Sequence, residues 1–163
     1  MTQKTEEFRL EDVMVNRNKR GFSCIGLHNP KFIENVGSAL RACGVYNSAF
    51  MAVSGKRYRH TQTDTMKAFK HLPLFTEVDL KSMIPMGVKV VAVDIIDGAI
   101  PLPEYNHPES AFYIFGAEDE TLDESIIDWC DDVVYIPTNG CMNLAATINV
   151  VLYDRLAKQI IKD

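Results

Sequence analysis

The sequence predicts a single α/β domain with a mostly parallel sheet, and three observations predict it. Short β-rich runs alternate with segments of helical period along the chain. Residues 88–93 and Ala111–Phe115 are apolar almost throughout, as strands covered on both faces are. Finally, a β-rich run over 132–136 stops at Pro137, and an Asn139-Gly140 loop leads into a long segment where Leu144, Ile148, Val151, Leu152, Leu156 and Ile160 recur at helical spacing. An Asn-Gly hairpin is the rival reading of that loop, weakened by the Ala-rich helical period that follows it. A polar loop between a strand end and a helix start is where open α/β sheets bind ligands, although an ordinary connection looks the same.

The elements follow in order. Residues 1–20 are polar and read as a lead-in arm. Residues 22–27 form a first strand and His28-Asn-Pro-Lys31 a loop. Val36, Ala39, Leu40 and Cys43 then mark one face of a helix, with Asn35 placed to cap it and Gly44 to end it. A second strand covers 49–53, a basic loop 54–63 and a short helix 64–71. Residues 74–78 read as a brief strand and 79–84 as a helical turn. After the central strand at 88–93, residues 94–108 are loop-rich with three prolines. Ala111–Phe115 is a strand, 123–129 a short helix, and the last strand and helix close the chain. From Leu144 to Leu152 only Thr147 and Asn149 are polar, so this helix is buried on more than one side. One side meets the sheet; the other meets either more core or a second copy of the chain.

Composition narrows the function classes. The 163 residues are 47% hydrophobic and 24% charged, as in an ordinary globular domain spanning 1–163. No apolar run reaches transmembrane length and no signal peptide opens the chain, so the expectation is a cytoplasmic protein without membrane contact. Cys24, Cys43, Cys130 and Cys141 are far apart, which points to free buried thiols and no metal site. The net charge of −5 is unevenly spread. Bases gather at Arg17, Lys19 and Arg20, at Lys56, Arg57, Arg59 and His60, and at Lys67, Lys70 and His71. Acids gather at 118–120, 123–124, 128 and 131–132. Such a molecule can hold phosphates on one face despite its negative total.

Three strand ends carry candidate chemistry: Asn35 and Arg41 after the first strand, Glu118 after the fourth, and Asn143 after the fifth. Singly, each has an ordinary reading. Asn35 and Asn143 are good helix caps, Arg41 a solvated helix residue, and Glu118 a carboxylate favouring a helix start.

Together they resemble the SpoU/TrmH family of RNA ribose 2′-O-methyltransferases, within the SPOUT class. Asn29-Pro30 followed by Asn35-Val-Gly37 and Arg41 is similar to the family's first motif. Phe115-Gly116-Ala-Glu118 matches the second, and Ile136-Pro137 with Cys141-Met142-Asn143 the third. Order and spacing agree over residues 22–156. The departures are Thr121 for a second glycine, Thr138 for methionine and Cys141 for serine, in a shortened third loop.

The resemblance implies a mostly parallel sheet flanked by helices with a C-terminal deep trefoil knot. It implies S-adenosylmethionine in a pocket lined by Asp94, Gly116, Ile136, Cys141 and Met142. It places Arg41 at the transfer step, where it orients the ribose hydroxyl or a neighbouring phosphate or takes part in proton removal, with Asn35, Glu118 and Asn143 holding Arg41 and the loops. Lys56, Arg57 and Arg59 would grip RNA while Tyr58 stacks on a base. It further implies a homodimer through the C-terminal helix, and, by likeness to the short TrmL-type members, tRNA over rRNA as substrate. A non-catalytic RNA-binding module retaining the fold is the alternative.

Overall fold

The computed structural model describes residues 20–58 and 70–161. The expected arm over 1–19, most of the expected helix at 64–71, and Arg59, His60 and Lys67 lie outside the described residues.

Among the described residues, seven strands form one sheet: β1 (Ser23–His28), β2 (Met51–Ser54), β3 (Leu74–Phe75), β4 (Lys89–Val93), β5 (Ile100–Pro101), β6 (Ala111–Phe115) and β7 (Asp132–Tyr135). The order across the sheet is β3-β2-β1-β6-β4-β7-β5, and every pairing is parallel. Among the described residues three α-helices accompany it: α1 (Ile33–Val45), α2 (Glu124–Ile127) and α3 (Leu144–Ile161). The α/β, parallel-sheet expectation holds.

The two-residue period of a strand sorts the core into two layers. Ile25, Leu27, Met51, Val53, Tyr113 and Phe115 face α1 and α3 on one side. Cys24, Ala52, Val90, Ala92, Phe112 and Ile114 face the other side, covered by Leu80, Leu122 and Ile126 from the 3-10 turn Leu80–Met83, the loop after β6, and α2. This double cover explains why β4 and β6 read as continuous apolar runs.

Several boundaries differ from expectation. β5 was unforeseen in the proline-rich segment. It is two residues long at the sheet edge, where Pro101 has no need of a donor on its open side. β3 stops at Phe75, and Glu77 with φ 54° turns the chain away. α1 begins at Ile33 after an extended Phe32, so Asn35 lies inside its first turn and is not the cap. α1 also runs through Gly44 to Val45, and the left-handed position after it is Asn47, with φ 57°. The short helix expected at 123–129 is the single turn of α2. Of the four free cysteines, Cys24 and Cys43 are buried but Cys141 is exposed, contrary to the expectation for it.

Because all strands are parallel, their carboxyl ends share one edge of the sheet. The loops after β1, β2, β4, β6 and β7 therefore come together there. This also corrects the expectation that bases and acids lie apart: Arg57, after β2, meets Asp119 and Glu120, after β6.

Candidate active site

The loop after β6 carries Glu118, whose two oxygens are both engaged. Oε1 accepts from Asn35 Nδ2 at 2.5 Å, and Oε2 accepts from the Lys31 backbone N–H at 3.0 Å. A carboxylate can only accept, so the Asn35 amide is fixed with its nitrogen toward Glu118. Asn35 Oδ1 then accepts from Asn143 Nδ2 at 3.1 Å. Asn143 uses its own Oδ1 to accept from Ala145 N–H at 2.9 Å and Ala146 N–H at 3.4 Å, which caps α3. The result is a polar relay from Lys31 through Glu118 and Asn35 to Asn143. It joins three strand ends that lie far apart in sequence.

Beside the relay is a cavity of about 360 Å³, within the range of small-molecule sites. Val93, Phe115, Tyr135, Ile136, Met142 and Leu144 give it apolar walls, and Glu118, Asp119 and Glu120 put carboxylates at its rim. Asp94, Gly116, Ile136, Cys141 and Met142, singled out from the sequence, all line it, as do Thr121 and Thr138. Gly116 sits on the wall, where an added Cβ would lie 3.2 Å from the Glu120 carbonyl oxygen. Asp94 is structural as well as lining: Oδ1 accepts from Ile95 N–H and Oδ2 from Leu122 N–H, both at 2.7 Å. It thereby ties the β4 exit to the loop after β6.

Arg41 stands apart. It is exposed on α1, six positions on from Asn35 and about 120° round the helix, and no hydrogen bond joins it to Asn35, Glu118 or Asn143. The expectation that these three hold Arg41 is corrected within this chain.

The basic loop also differs from expectation. Tyr58 is only 3% exposed and packs in the core, so it cannot stack on a base. Its position in a polar run hid an apolar anchor that holds the loop down. Lys56 is exposed, with Nζ 3.9 Å from Glu77. Arg57 is engaged with Asn29 and Asp119.

A second cluster had no signal in the sequence. His107 Nε2 lies 2.7 Å from Asp154 and Nδ1 2.7 Å from the Tyr113 hydroxyl. The carboxylate requires the proton on Nε2, so Nδ1 accepts from Tyr113. Arg155, 6% exposed, donates to the Pro108 and Glu109 carbonyls and to Tyr113. Lys158 donates to the Leu102 and Tyr105 carbonyls and pairs with Asp154. These groups clamp α3 to the segment between β5 and β6. Burial holds His107 below its usual value, against the raising effect of Asp154.

Residues 23–153 match the profile described as the SpoU rRNA Methylase family. The chain belongs to that family. Among curated SpoU relatives, the 23S rRNA (guanosine-2′-O-)-methyltransferase RlmB of Acinetobacter baylyi is 29% identical over 76 residues, 45% of this chain and 31% of that protein. This SpoU chain thus spans under a third of that relative's length. The SpoU methyltransferase AviRb from Streptomyces viridochromogenes superposes with a TM-score of 0.77 at 16% identity, over 95% of this chain and 66% of AviRb. AviRb in complex with AdoMet gives 0.75 at 16% identity, over 93% and 65%. A protein solved for insight into 2-OH methylation of C/U34 on tRNA gives 0.73 at 19% identity, over 94% and 99%. Among the described residues, no helix is long and apolar enough to cross a membrane, and no His/Cys/Asp/Glu group is arranged to hold a metal.

Proposed function

We propose that this SpoU-family chain is an S-adenosylmethionine-dependent RNA ribose 2′-O-methyltransferase acting on tRNA. The observation that carries the reading is the convergence of Gly116, Ile136 and Met142 on one cavity beside the Glu118–Asn35–Asn143 relay. The cavity fits S-adenosylmethionine: its apolar walls suit an adenosine, and its rim carboxylates suit a cationic donor. When bound, the cofactor supplies an electrophilic methyl on a sulfonium. Gly116, Ile136, Cys141 and Met142 would hold it, with the methyl available to a ribose 2′-hydroxyl brought to the cavity beside the relay.

The chain's own part is mainly positioning. The relay fixes the loops after β1, β6 and β7 relative to one another. Arg41 carries a guanidinium, which offers N–H donors and no acceptor, and it acts by orienting the hydroxyl or an adjacent phosphate. Phe32 offers RNA the stacking ring that buried Tyr58 cannot. It is 48% exposed, next to Lys31, whose Nζ lies 5.4 Å from its ring centroid.

The reading includes a homodimer through α3 and a knotted C-terminal backbone. Val150 and Tyr153 on α3 are exposed and line an open groove with Tyr46, Leu102, Pro103 and Pro137. Ile136 belongs to both groove and cavity, so a second copy seated there would reach the cofactor loop. The placement of β7 between β4 and β5 supports the knot. Near-complete mutual coverage with the tRNA-associated structure favours tRNA over rRNA, with the wobble nucleotide as the expected target.

Calorimetry with S-adenosylmethionine and transfer of a labelled methyl to unfractionated tRNA test the reading. Binding and 2′-O-methyl incorporation are expected. Arg41→Ala is expected to lower transfer at least about 100-fold while cofactor affinity stays unchanged. Cofactor binding without transfer to tRNA or rRNA would point to the non-catalytic module. No cofactor binding would refute the reading.

A further inference from the structure

We propose that Arg57 is a positioning residue that braces the cofactor-side loop and is not a phosphate contact. The inference rests on reading the cavity as the S-adenosylmethionine site.

The guanidinium joins three loops. Nε and Nη2 donate to the Asn29 carbonyl, after β1, at 3.2 and 2.9 Å. Nη1 and Nη2 donate to Asp119 Oδ2 and Oδ1, after β6, at 3.2 and 2.9 Å. Nη1 also lies 3.7 Å from Glu120. This bidentate fork has a geometry that a lysine ammonium cannot reproduce. Arg57 and Asp119 perturb each other in the matching directions: the guanidinium pulls the Asp119 carboxyl below its usual value, and the carboxylate pushes Arg57 up.

The backbone is shaped for this contact. Gly55 has φ +84°, and an added Cβ would lie 2.3 Å from Asn29 Oδ1. Asn29 itself takes a left-handed φ of 51°, and its N–H donates to the Ser54 carbonyl at 3.1 Å. Two adjacent left-handed positions thus hold the Asn29 carbonyl against Arg57.

The braced loop needs a counter-charge. Glu118, Asp119 and Glu120 are consecutive carboxylates, and all three line the cavity. Lys31 assists from the other side, with Nζ 3.9 Å from Asp119. Without Arg57 the three acids repel one another, and the wall that carries Gly116 and Glu118 loses its hold on the loops after β1 and β2. The fork is partly solvent-exposed, so its contribution is weakened by salt. Four of the five guanidinium N–H groups are taken by Asn29 and Asp119, so an RNA phosphate could engage the Arg57 fork in bidentate fashion only by displacing Asp119.

The test uses the full chain as Arg57→Ala, Arg57→Lys, Asp119→Asn, the Ala/Asn double variant, and the swap of Arg57→Asp with Asp119→Arg. Thermal melts confirm folding, and Arg57→Lys and Asp119→Asn serve if Arg57→Ala does not fold. Kd for S-adenosylmethionine is read by calorimetry, and unfractionated tRNA binding is read by filter assay at two salt concentrations. Arg57→Ala and Asp119→Asn are each expected to raise the cofactor Kd about five- to twentyfold, with the double variant no worse than either. Arg57→Lys gives a smaller rise, and the swap recovers part of the affinity. KM for S-adenosylmethionine rises, while KM for tRNA and the salt slope hold. An unchanged cofactor Kd with a salt slope reduced by about one would overturn the brace and make Arg57 a phosphate contact. Wild-type protein that binds no S-adenosylmethionine would instead overturn the reading of the cavity, and the brace with it.

Discussion

Asn143 does two jobs through two different atoms, and two substitutions separate them. Its Oδ1 caps α3, accepting from Ala145 and Ala146, while its Nδ2 donates to Asn35. Loss of an Asn cap costs about 1 kcal/mol. Loss of the bond to Asn35, in a partly solvated place, costs about 0.5–1 kcal/mol more. Asn143→Ala is therefore expected to destabilise by about 1.5–2 kcal/mol, a fall in Tm of roughly 3–8 °C for a chain of this size. Asn143→Asp keeps the capping oxygen and adds a negative charge at a helix N-terminus, so its Tm stays within about 2 °C of wild type. It has no N–H to offer Asn35 Oδ1, however, and it sets a second carboxylate at the far side of an amide already bound to Glu118. Methyl transfer by the Asp variant is expected to fall about 10- to 100-fold. Thermal unfolding by circular dichroism and transfer of labelled methyl to tRNA read the two effects. Full transfer by Asn143→Asp would show that the relay does not serve the reaction. A wild-type Tm for Asn143→Ala would refute the cap.

Three further outcomes are expected. Gly55→Ala forces φ +84° on a residue with a Cβ and pushes that Cβ onto Asn29, so urea melts should show a loss of about 1–3 kcal/mol. Below pH 6.5, the usual imidazole value, an unfolded chain takes up a proton that folded His107 refuses. The associated stability is complete above pH 6.5 and declines as pH falls toward the lower folded value. His107→Gln retains a donor for Asp154 and an acceptor for Tyr113 without titrating, and its melts between pH 8 and 5.5 should show a shallower slope; an equal slope would exonerate His107. Tyr153→Asp places a charge on the exposed apolar face of α3, and light scattering is expected to find a dimer for the wild type and a monomer for the variant; a monomeric wild type would refute the proposed interface.

Much of the site was legible because its signals are local. Asn35, Glu118 and Asn143 each follow a strand end, and a parallel sheet puts such ends on one edge. The misreadings came where one residue type serves two physical ends. Tyr58 sits among bases as a stacking residue would, yet its ring anchors the loop in the core. Asn35 looked like a cap because the helix start falls two residues earlier, at Ile33, where Phe32 caps without a side-chain bond. Arg57 and Asp119 lie 62 positions apart, and His107 and Asp154 lie 47 apart, so no period or spacing could pair them.

By itself, the sequence determined the layered α/β class, the strands apolar on both faces, and the motifs that carry SpoU-family membership. Those follow from period, propensity and turn chemistry, which act over a few residues. Tertiary structure alone decided which polar groups meet: the Glu118–Asn35–Asn143 relay, the Arg57 brace and the His107 clamp. Hydrogen bonds and ion pairs depend on distances of a few ångströms between distant parts of the chain, and the strand order β3-β2-β1-β6-β4-β7-β5 sets those distances.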